Sequence, residues 1–380
     1  MLADYSSDPR GVMTLDGGGT SFRFSAMLGG RTLTETFVTP SHANDLEQCL
    51  ANMIQGFARI RDQCAEPPAA ISLAFPGPAD YPNGVIGDLP NLPAFRGGVA
   101  LGPMLEERFG VPVYINNDGN LFVYGEAIAG LLPYANEILQ NAGSSKRFRH
   151  LFGVTLGTGF GGGIAWDGQL HVGDNSMAGE VWLLRNKLYP HMAAEEGACA
   201  RGVRRAYAEN ARIAMDRSPE PKVIFDIGIG KREGNKAAAV EAFRQLGEVA
   251  GDALAHGSTL VDGLVVIGGG ISGAWPLFLP TLVAEMNGAY TGPAGNRLRR
   301  LGPVAFNLED AAQRERFAKG EMREIRVPGG DRRLVYDSLQ RIGVGLSRLG
   351  TSEAVAVGAY VFALKTLDRC APRPFGQAPP

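Results

Sequence analysis

The sequence predicts an α/β protein built in two lobes. Three observations carry this expectation. The chain has 380 residues, more than the roughly 100–200 of a single domain. Apolar, β-branched runs alternate with amphipathic helical stretches, the pattern of α/β architecture. Glycine supplies 52 of the 380 residues, about twice the usual ~7%, and gathers in the turns that leave strands, where bare backbone can approach a ligand closely.

In chain order, residues 12–15 and 22–28 read as strands joined by a Gly-rich turn, with a third strand around 32–38. Residues 45–64 form an amphipathic helix with Leu46, Leu50, Met53, Ile54, Phe57 and Ile60 on one face. The strand at 71–75 breaks at Pro76-Gly77-Pro78, and Asn83-Gly84 marks a tight turn. A short helix at 104–109 precedes a strand at 111–115 and a helix at 121–130, and the polar stretch 141–149 reads as a surface insertion. Strands at 152–156 and 163–166 flank a glycine loop, and Asp167-Gly168 turns the chain into a strand at 169–172. Helices at 199–216 and 236–261 lead to a strand at 263–267. Residues 324–327 and 333–336 read as a β-hairpin inside a longer insertion, 353–367 as the last helix, and the Pro-rich tail beyond Cys370 as frayed.

Composition excludes several functions. With 45% hydrophobic and 20% charged residues and a formal net charge of −2, neither a nucleic acid nor an anionic membrane surface is implied as a partner. The four cysteines, Cys49, Cys64, Cys199 and Cys370, show no metal-ligand spacing and fit a reducing compartment. Residues 1–10 lack the basic and apolar regions of a signal peptide, and no segment reaches the ~18 apolar residues of a membrane span. A cytoplasmic protein is expected.

The chemistry lies in the glycine loops and the acids near them. Asp16-Gly17-Gly18-Gly19-Thr20, with Arg23 three residues on, occupies a strand-turn-strand in which backbone N–H groups can surround phosphate oxygens and Asp16 can stand beside magnesium. An ordinary hairpin is the alternative. The runs Gly157-Thr158-Gly159-Phe160-Gly161-Gly162 and Gly268-Gly269-Gly270-Ile271-Ser272-Gly273 both have G-x-G-x-x-G spacing, so an NAD-dependent oxidoreductase is the rival. A dinucleotide fingerprint must open a helix, whereas the first of these runs enters another strand. Only the second keeps the rival open, and it lacks the acidic strand end that should follow. Asn116-Asn117-Asp118-Gly119-Asn120 ends an apolar strand, so Asp118 is either a base facing a cleft or a helix N-cap. Glu180, and the pair Glu195-Glu196, are further acidic candidates.

Together and in this order, these segments resemble the ROK family, which covers bacterial repressors, open reading frames and sugar kinases. The resemblance runs from Asp16–Thr20 through Phe75-Pro76-Gly77-Pro78, Pro90-Asn91-Leu92, the Asn116–Asn120 stretch and Gly125-Glu126. It continues through the loop at 156–163, Ala178-Gly179-Glu180 and Gly268–Gly270 to Leu349-Gly350 and Gly358-Ala359. It implies the two-lobed actin-like ATPase (ribonuclease H-like) fold, with mixed sheets flanked by helices. Residues 1–116 and 355–380 would form one lobe and 117–354 the other, with insertions at about 133–150 and 290–338. The activity implied is transfer of the γ-phosphate of magnesium-ATP to a hexose hydroxyl, the 6-OH first, by a cytoplasmic homodimer.

By the same resemblance Asp118 is the catalytic base, and Asn91, Asn117, Glu180 and Glu195 contact the sugar. Alignment of 195–201 favours Glu195 over Glu196. Asp16, Gly18, Gly19, Thr20, Arg23, Gly157, Thr158, Gly159, Gly268, Gly269 and Gly270 hold the nucleotide, with magnesium near Asp16 through water. The chain departs from the family where a His normally follows the Gly-Glu pair, since Leu183 stands there, and in lacking the C-x-C-G-x-x-G-C zinc cluster. No zinc site is expected, and the apolar run 181–184 should anchor the segment instead, with Trp182 buried. Only about a dozen residues precede the first strand, which argues against the repressor branch. A non-catalytic sugar-binding protein would leave Asp118 and three phosphate loops without a purpose.

Overall fold

The first expected strand runs to the glycines themselves: β1 (Val12–Gly17) turns directly into β2 (Ser21–Leu28), antiparallel, with Asp16 opposite Arg23. The computed structural model describes residues 5–77, 79–89 and 92–370, so Pro78, Pro90, Asn91 and the tail after Cys370 lie outside the described residues. The chain divides into two compact units, the first running up to Ile128 and resuming at Ser352, the second being Ala129–Thr351. The expected division was at 116/117 and 354/355.

In the first unit, β3 (Arg31–Thr32) and β4 (Phe37–Pro40) both pair with β2. Helix α1 (Leu46–Arg61) starts at Asp45, whose side chain accepts the Gln48 N–H at 3.1 Å, a normal N-cap. Its apolar face buries Cys49, Met53, Phe57 and Ile60, and Phe57 meets Phe24 edge-to-face at 5.1 Å. Next come β5 (Ala70–Ala74), a small sheet of β6 (Ala79–Asp80), β7 (Val85–Ile86) and β8 (Val99–Ala100), then α2 (Leu101–Phe109), β9 (Val113–Asn116) and α3 (Asp118–Ala129). Strands β1, β5 and β9 are parallel neighbours in that order, with Asp16, Ala74 and Asn116 in register. Asp16 and the start of α3 therefore come to the same carboxyl edge of one sheet, the usual place for a site in an α/β fold.

The second unit opens with α4 (Leu131–Asn141), a helix over residues that gave no helical expectation, held by buried Leu131, Leu132, Ala135 and Leu139. Strand β10 (Leu151–Leu156) pairs antiparallel with β11 (Phe160–Trp166), and β12 (Gln169–His171) follows. The helix expected at 199–216 ends early: α5 (Ala200–Ala211) stops where Arg212 takes a left-handed backbone, and a separate helix, α6 (Pro221–Gly228), follows beyond the expected range. Helix α7 (Lys236–Val261) leads to β13 (Leu264–Gly268) and α8 (Trp275–Met286). A methyl at Gly247 would lie 2.5 Å from the Phe278 carbonyl, so α8 packs against the bare backbone of α7.

The stretch expected as one insertion, 290–338, holds more than a hairpin. It contains β14 (Ala289–Thr291) paired with β15 (Arg297–Arg299), then β16 (Val304–Asn307), α9 (Ala311–Lys319) and the hairpin β17 (Met322–Arg326) and β18 (Arg333–Asp337). Strand β16 pairs with β19 (Arg341–Leu346), so part of the expected insertion is an integral strand of the sheet. The sheet order is β12-β11-β10-β13-β19-β16, parallel from β10 onward. The last helix, α10 (Thr351–Cys370), lies in the first unit from Ser352 on. Among the described residues no helix is long and apolar enough to cross a membrane.

Candidate functional site

The glycine turn after Asp16 is a closed hairpin. The Gly18 N–H donates to the Ser21 carbonyl at 3.1 Å, the Ser41 hydroxyl donates to the Gly19 carbonyl at 2.6 Å, and the Ser41 N–H donates to the Thr20 carbonyl at 3.1 Å. No local signal marked Ser41 as part of this turn. A Cβ on Gly17 would meet the Phe75 ring at 2.8 Å, so this glycine answers to packing, while one on Gly18 would meet the Ser21 carbonyl at an ordinary 3.7 Å. Asp16 has its carboxyl pushed up to about 6, first by burial and then by the neighbouring charge of Asp118, against which Arg23 pulls it down.

Asp118 begins α3 but does not cap it. That task falls to Asn117, whose side-chain oxygen accepts the Gly119 N–H at 2.8 Å and the Asn120 N–H at 3.4 Å. Asn116 accepts from Asn120 Nδ2 at 3.1 Å and from the Asn117 N–H at 2.8 Å. Asp118 is reachable by solvent, yet the protein around it raises its carboxyl above the ordinary range, opposed by the Gly119 N–H. Two raised carboxyls, Asp16 burdened by the charge of Asp118 and tempered by Arg23, suit a proton acceptor beside a cation site. Asn91 lies outside the described residues.

In the second unit the two later glycine loops lie side by side, because β10 and β13 are parallel neighbours and both loops leave their carboxyl ends. The Ile271 N–H donates to the Leu156 carbonyl at 2.9 Å, and the Gly269 N–H donates to Thr351 Oγ1 at 2.8 Å. Thr351 heads α10 in a Thr-Ser-Glu start that a capping search would have flagged. The loop of Gly157, Thr158 and Gly159 is the turn of the β10–β11 hairpin, which removes the dinucleotide fingerprint as its explanation.

Glu195 and Glu196 have different surroundings. Glu195 Oε2 accepts the Phe160 N–H of the glycine loop at 3.1 Å. Glu196 is held by Arg201, whose guanidinium keeps its carboxyl below the usual range, and also by Arg205. Glu180 accepts from the Trp182 indole N–H. The expected burial of Trp182 is only partial: it packs on the edge of the core, Val181 is the buried member of the run, and Leu183 is 56% exposed. The indole N–H finds its partner in the Glu180 carboxylate.

Not every glycine in these loops is reserved for a ligand. A Cβ on Gly159 would meet Glu195 Oε2 at 2.7 Å, and one on Gly269, whose φ is +89°, would collide with the Leu156 backbone. Gly157 and Gly270 have nothing within 4 Å of such a Cβ. Among the described residues no group of three or more His, Cys, Asp or Glu is placed to hold a metal.

The sequence model of the ROK family matches residues 12–301. A crystal structure of glucokinase from Parabacteroides distasonis is 52% identical, covers 95% of this chain and 99% of its own, and superposes with a TM-score of 0.84. N-acetyl-D-glucosamine kinase of Vibrio cholerae is 29% identical over 270 residues, 68% of this chain and 83% of that protein. Glucokinase of Thermotoga maritima is 26% identical over 281 residues, 69% and 83% of the two chains.

Proposed function

The chain belongs to the ROK family, and on that premise we propose how it works as an ATP-dependent sugar kinase on an α/β, actin-like ATPase fold. The observation that carries the mechanism is Asp118, a solvent-reachable carboxyl held above its ordinary range at the sheet edge it shares with Asp16. Phosphoryl transfer asks a protein mainly to position reactants and neutralise charge. Asp118 accepts the proton of the sugar hydroxyl as that oxygen attacks the γ-phosphate, and the raised pKa makes it a better acceptor near neutral pH. Glucose is the first substrate to expect, because the relative that is 52% identical is named a glucokinase, and the 6-OH is the expected acceptor.

Asn117, Glu180 and Glu195, with Asn91, orient the sugar; carboxylates suit hydroxyl donors. Glu195 is preferred over Glu196, since Glu196 is committed to two arginines. The backbones of Gly18, Gly19, Thr20, Gly157, Thr158, Gly159 and Gly268–Gly270 hold ATP, with Arg23 near its phosphates. Asp16, raised by burial beside Asp118, fits a magnesium ion reached through water. Bound there, the ion would neutralise phosphate oxygens. We place the reaction in the cytoplasm, which the free thiols of Cys49, Cys64, Cys199 and Cys370 suit, and the family resemblance implies a homodimer.

The deciding experiment is ADP release measured over a panel of hexoses and N-acetylhexosamines, with NAD and NADP reduction followed in parallel. ADP release that depends on a sugar, led by glucose, is expected. Sugar-dependent nicotinamide reduction, or sugar binding without ADP release, would replace the proposal by the oxidoreductase or the non-catalytic binder.

A further inference from the structure

One peptide in each of the three glycine loops is held in the same way. Gly19 in the first unit, and Gly157 and Gly269 in the second, have their carbonyl oxygens taken up by donors of their own unit. The Gly19 carbonyl accepts the Ser41 hydroxyl at 2.6 Å. The Gly157 carbonyl accepts the N–H of Ala200, the first residue of α5, at 2.8 Å. The Gly269 carbonyl accepts the Ser272 N–H at 3.0 Å and the Ser272 hydroxyl at 2.7 Å.

A planar trans peptide points its C=O and its N–H in opposite directions. Fixing these three carbonyls therefore fixes the N–H groups of Thr20, Thr158 and Gly270, on the far side of each peptide. None of the three N–H groups donates to an acceptor among the described residues, and all three residues are exposed. Other N–H groups of the same loops are already used: Gly18 by the Ser21 carbonyl, Gly157 by the Gly159 carbonyl, Gly269 by Thr351 and Ile271 by the Leu156 carbonyl.

We propose that Ser41, Ala200 and Ser272 are positioning residues for the nucleotide, holding three peptides so that the N–H groups of Thr20, Thr158 and Gly270 donate to its phosphate oxygens. The inference rests on the reading of these loops as the nucleotide site and adds which donors serve there and what aims them. An N–H aimed in advance needs no reordering when the anion arrives.

The three anchors differ in how replaceable they are. Ser41 is 1% exposed, and its place is set by the strand before it: Asn52 of α1 donates from Nδ2 to the Pro40 carbonyl at 3.0 Å and accepts from Gln48 Nε2 at 2.9 Å. Among the described residues no other donor reaches the Gly19 carbonyl, so loss of the Ser41 hydroxyl releases that peptide. Gly269 keeps the Ser272 N–H when the hydroxyl goes, and should respond less. Gly157 depends on a backbone N–H, which only proline removes. Ala200 permits that change, because the first helical position tolerates proline and Cys199 before it already has the extended backbone, φ −140° and ψ 177°, that a residue preceding proline needs.

The experiment is calorimetric titration of the full chain with a non-hydrolysable ATP analogue and magnesium, and separately with the hexose that supports ADP release. It compares wild type, Ser41→Ala, Ala200→Pro and Ser272→Ala, with hydrogen–deuterium exchange of the segment 17–24 followed with and without the analogue. Ser41→Ala and Ala200→Pro should each bind the analogue about three- to tenfold more weakly, the worth of roughly one hydrogen bond, and Ser272→Ala should lose less. Hexose affinity and circular dichroism should be unchanged, and in Ser41→Ala the unliganded segment 17–24 should exchange faster. Should Ala200→Pro fail to fold, Ser41→Ala decides alone. Wild-type affinity for the analogue in Ser41→Ala or in folded Ala200→Pro would overturn the proposal, and so would an equal loss for analogue and hexose, which marks general loosening. A wild-type chain that binds no analogue, or whose segment 17–24 gains no protection from it, would instead remove the nucleotide reading of the loops and this proposal with it.

Discussion

Asp118 is an acid that solvent can reach and that its surroundings nonetheless hold toward the protonated form. Asp118→Asn is expected to keep nucleotide affinity and lose at least about 10²-fold in turnover, the usual cost of a missing general base. A base acts only when deprotonated, so in the native enzyme kcat/KM should fall as pH drops through this raised pKa, at a pH above the ordinary carboxylate range. Rate–pH profiles check both. Asp16 gives the opposite kind of test. Its carboxyl rises from the ordinary 3.8 to about 6 on folding, so the folded chain binds the proton more tightly than the unfolded one. The ionised form therefore costs stability, fully above about pH 6 and not at all below 3.8. Without nucleotide or magnesium, Asp16→Asn should gain up to about 3 kcal/mol at pH 7 and flatten the pH dependence between 4 and 6. Activity should disappear with it. Denaturant titrations at pH 4, 6 and 7 decide this.

Pairs of elements explain why particular glycines stand where they do. A methyl at Gly125 would fall on the Ala354 carbonyl and one at Gly358 on the Leu121 carbonyl, so α3 and α10 touch backbone to backbone through two glycines. The sequence marked Gly125-Glu126 and Gly358-Ala359 as recurring motifs without a reason. The reason is packing: α3 begins at Asp118, and its seat against α10 fixes the direction of that residue. Gly125→Ala and Gly358→Ala should each cost about 1–3 kcal/mol or more by overpacking, measured as a lowered denaturant midpoint, with the remaining folded fraction slow in turnover. The nucleotide loops divide in a similar way. Gly269→Val should destabilise the fold, since a left-handed backbone and a collision combine. Gly157→Val and Gly270→Val should fold normally and bind nucleotide about tenfold or more weakly, that is, by about 1.4 kcal/mol. Calorimetric titration of folded variants separates the two classes, and wild-type affinity in the Gly157 and Gly270 variants would take these loops out of the nucleotide site.

For the molecule as a whole, the remaining expectation concerns metal. The segment that carries a zinc cluster in many ROK proteins has here a half-buried Trp182 on Glu180, a buried Val181, and Glu195 tied to the glycine loop. Hydrogen bonds and packing can fix the two carboxylates proposed to contact the sugar without thiolate ligands. Dialysis against a zinc-selective chelator, with magnesium restored, should leave activity and thermal stability unchanged, and elemental analysis should find no stoichiometric zinc. Bound zinc, or unfolding on its removal, would mean that the ligands are residues other than those expected.

Local signals in the sequence were enough for the α/β alternation, the three glycine loops, the acid at the end of an apolar strand and the hairpin at 324–336, because periodicity and turn chemistry act over a few residues. They were enough for the family as well, since its motifs recur in fixed order. Tertiary structure alone decided the rest. That Asn117 and not Asp118 caps α3, that Gly269 answers to Leu156 while Gly270 faces open space, and that residues 304–307 are a strand of the sheet all depend on groups distant in sequence. The pKa of Asp16 is of the same kind. A desolvated charge takes its energy from whatever surrounds it in space, and neither the neighbour Asp118 nor the burial is encoded within reach of the Asp-Gly-Gly-Gly-Thr run.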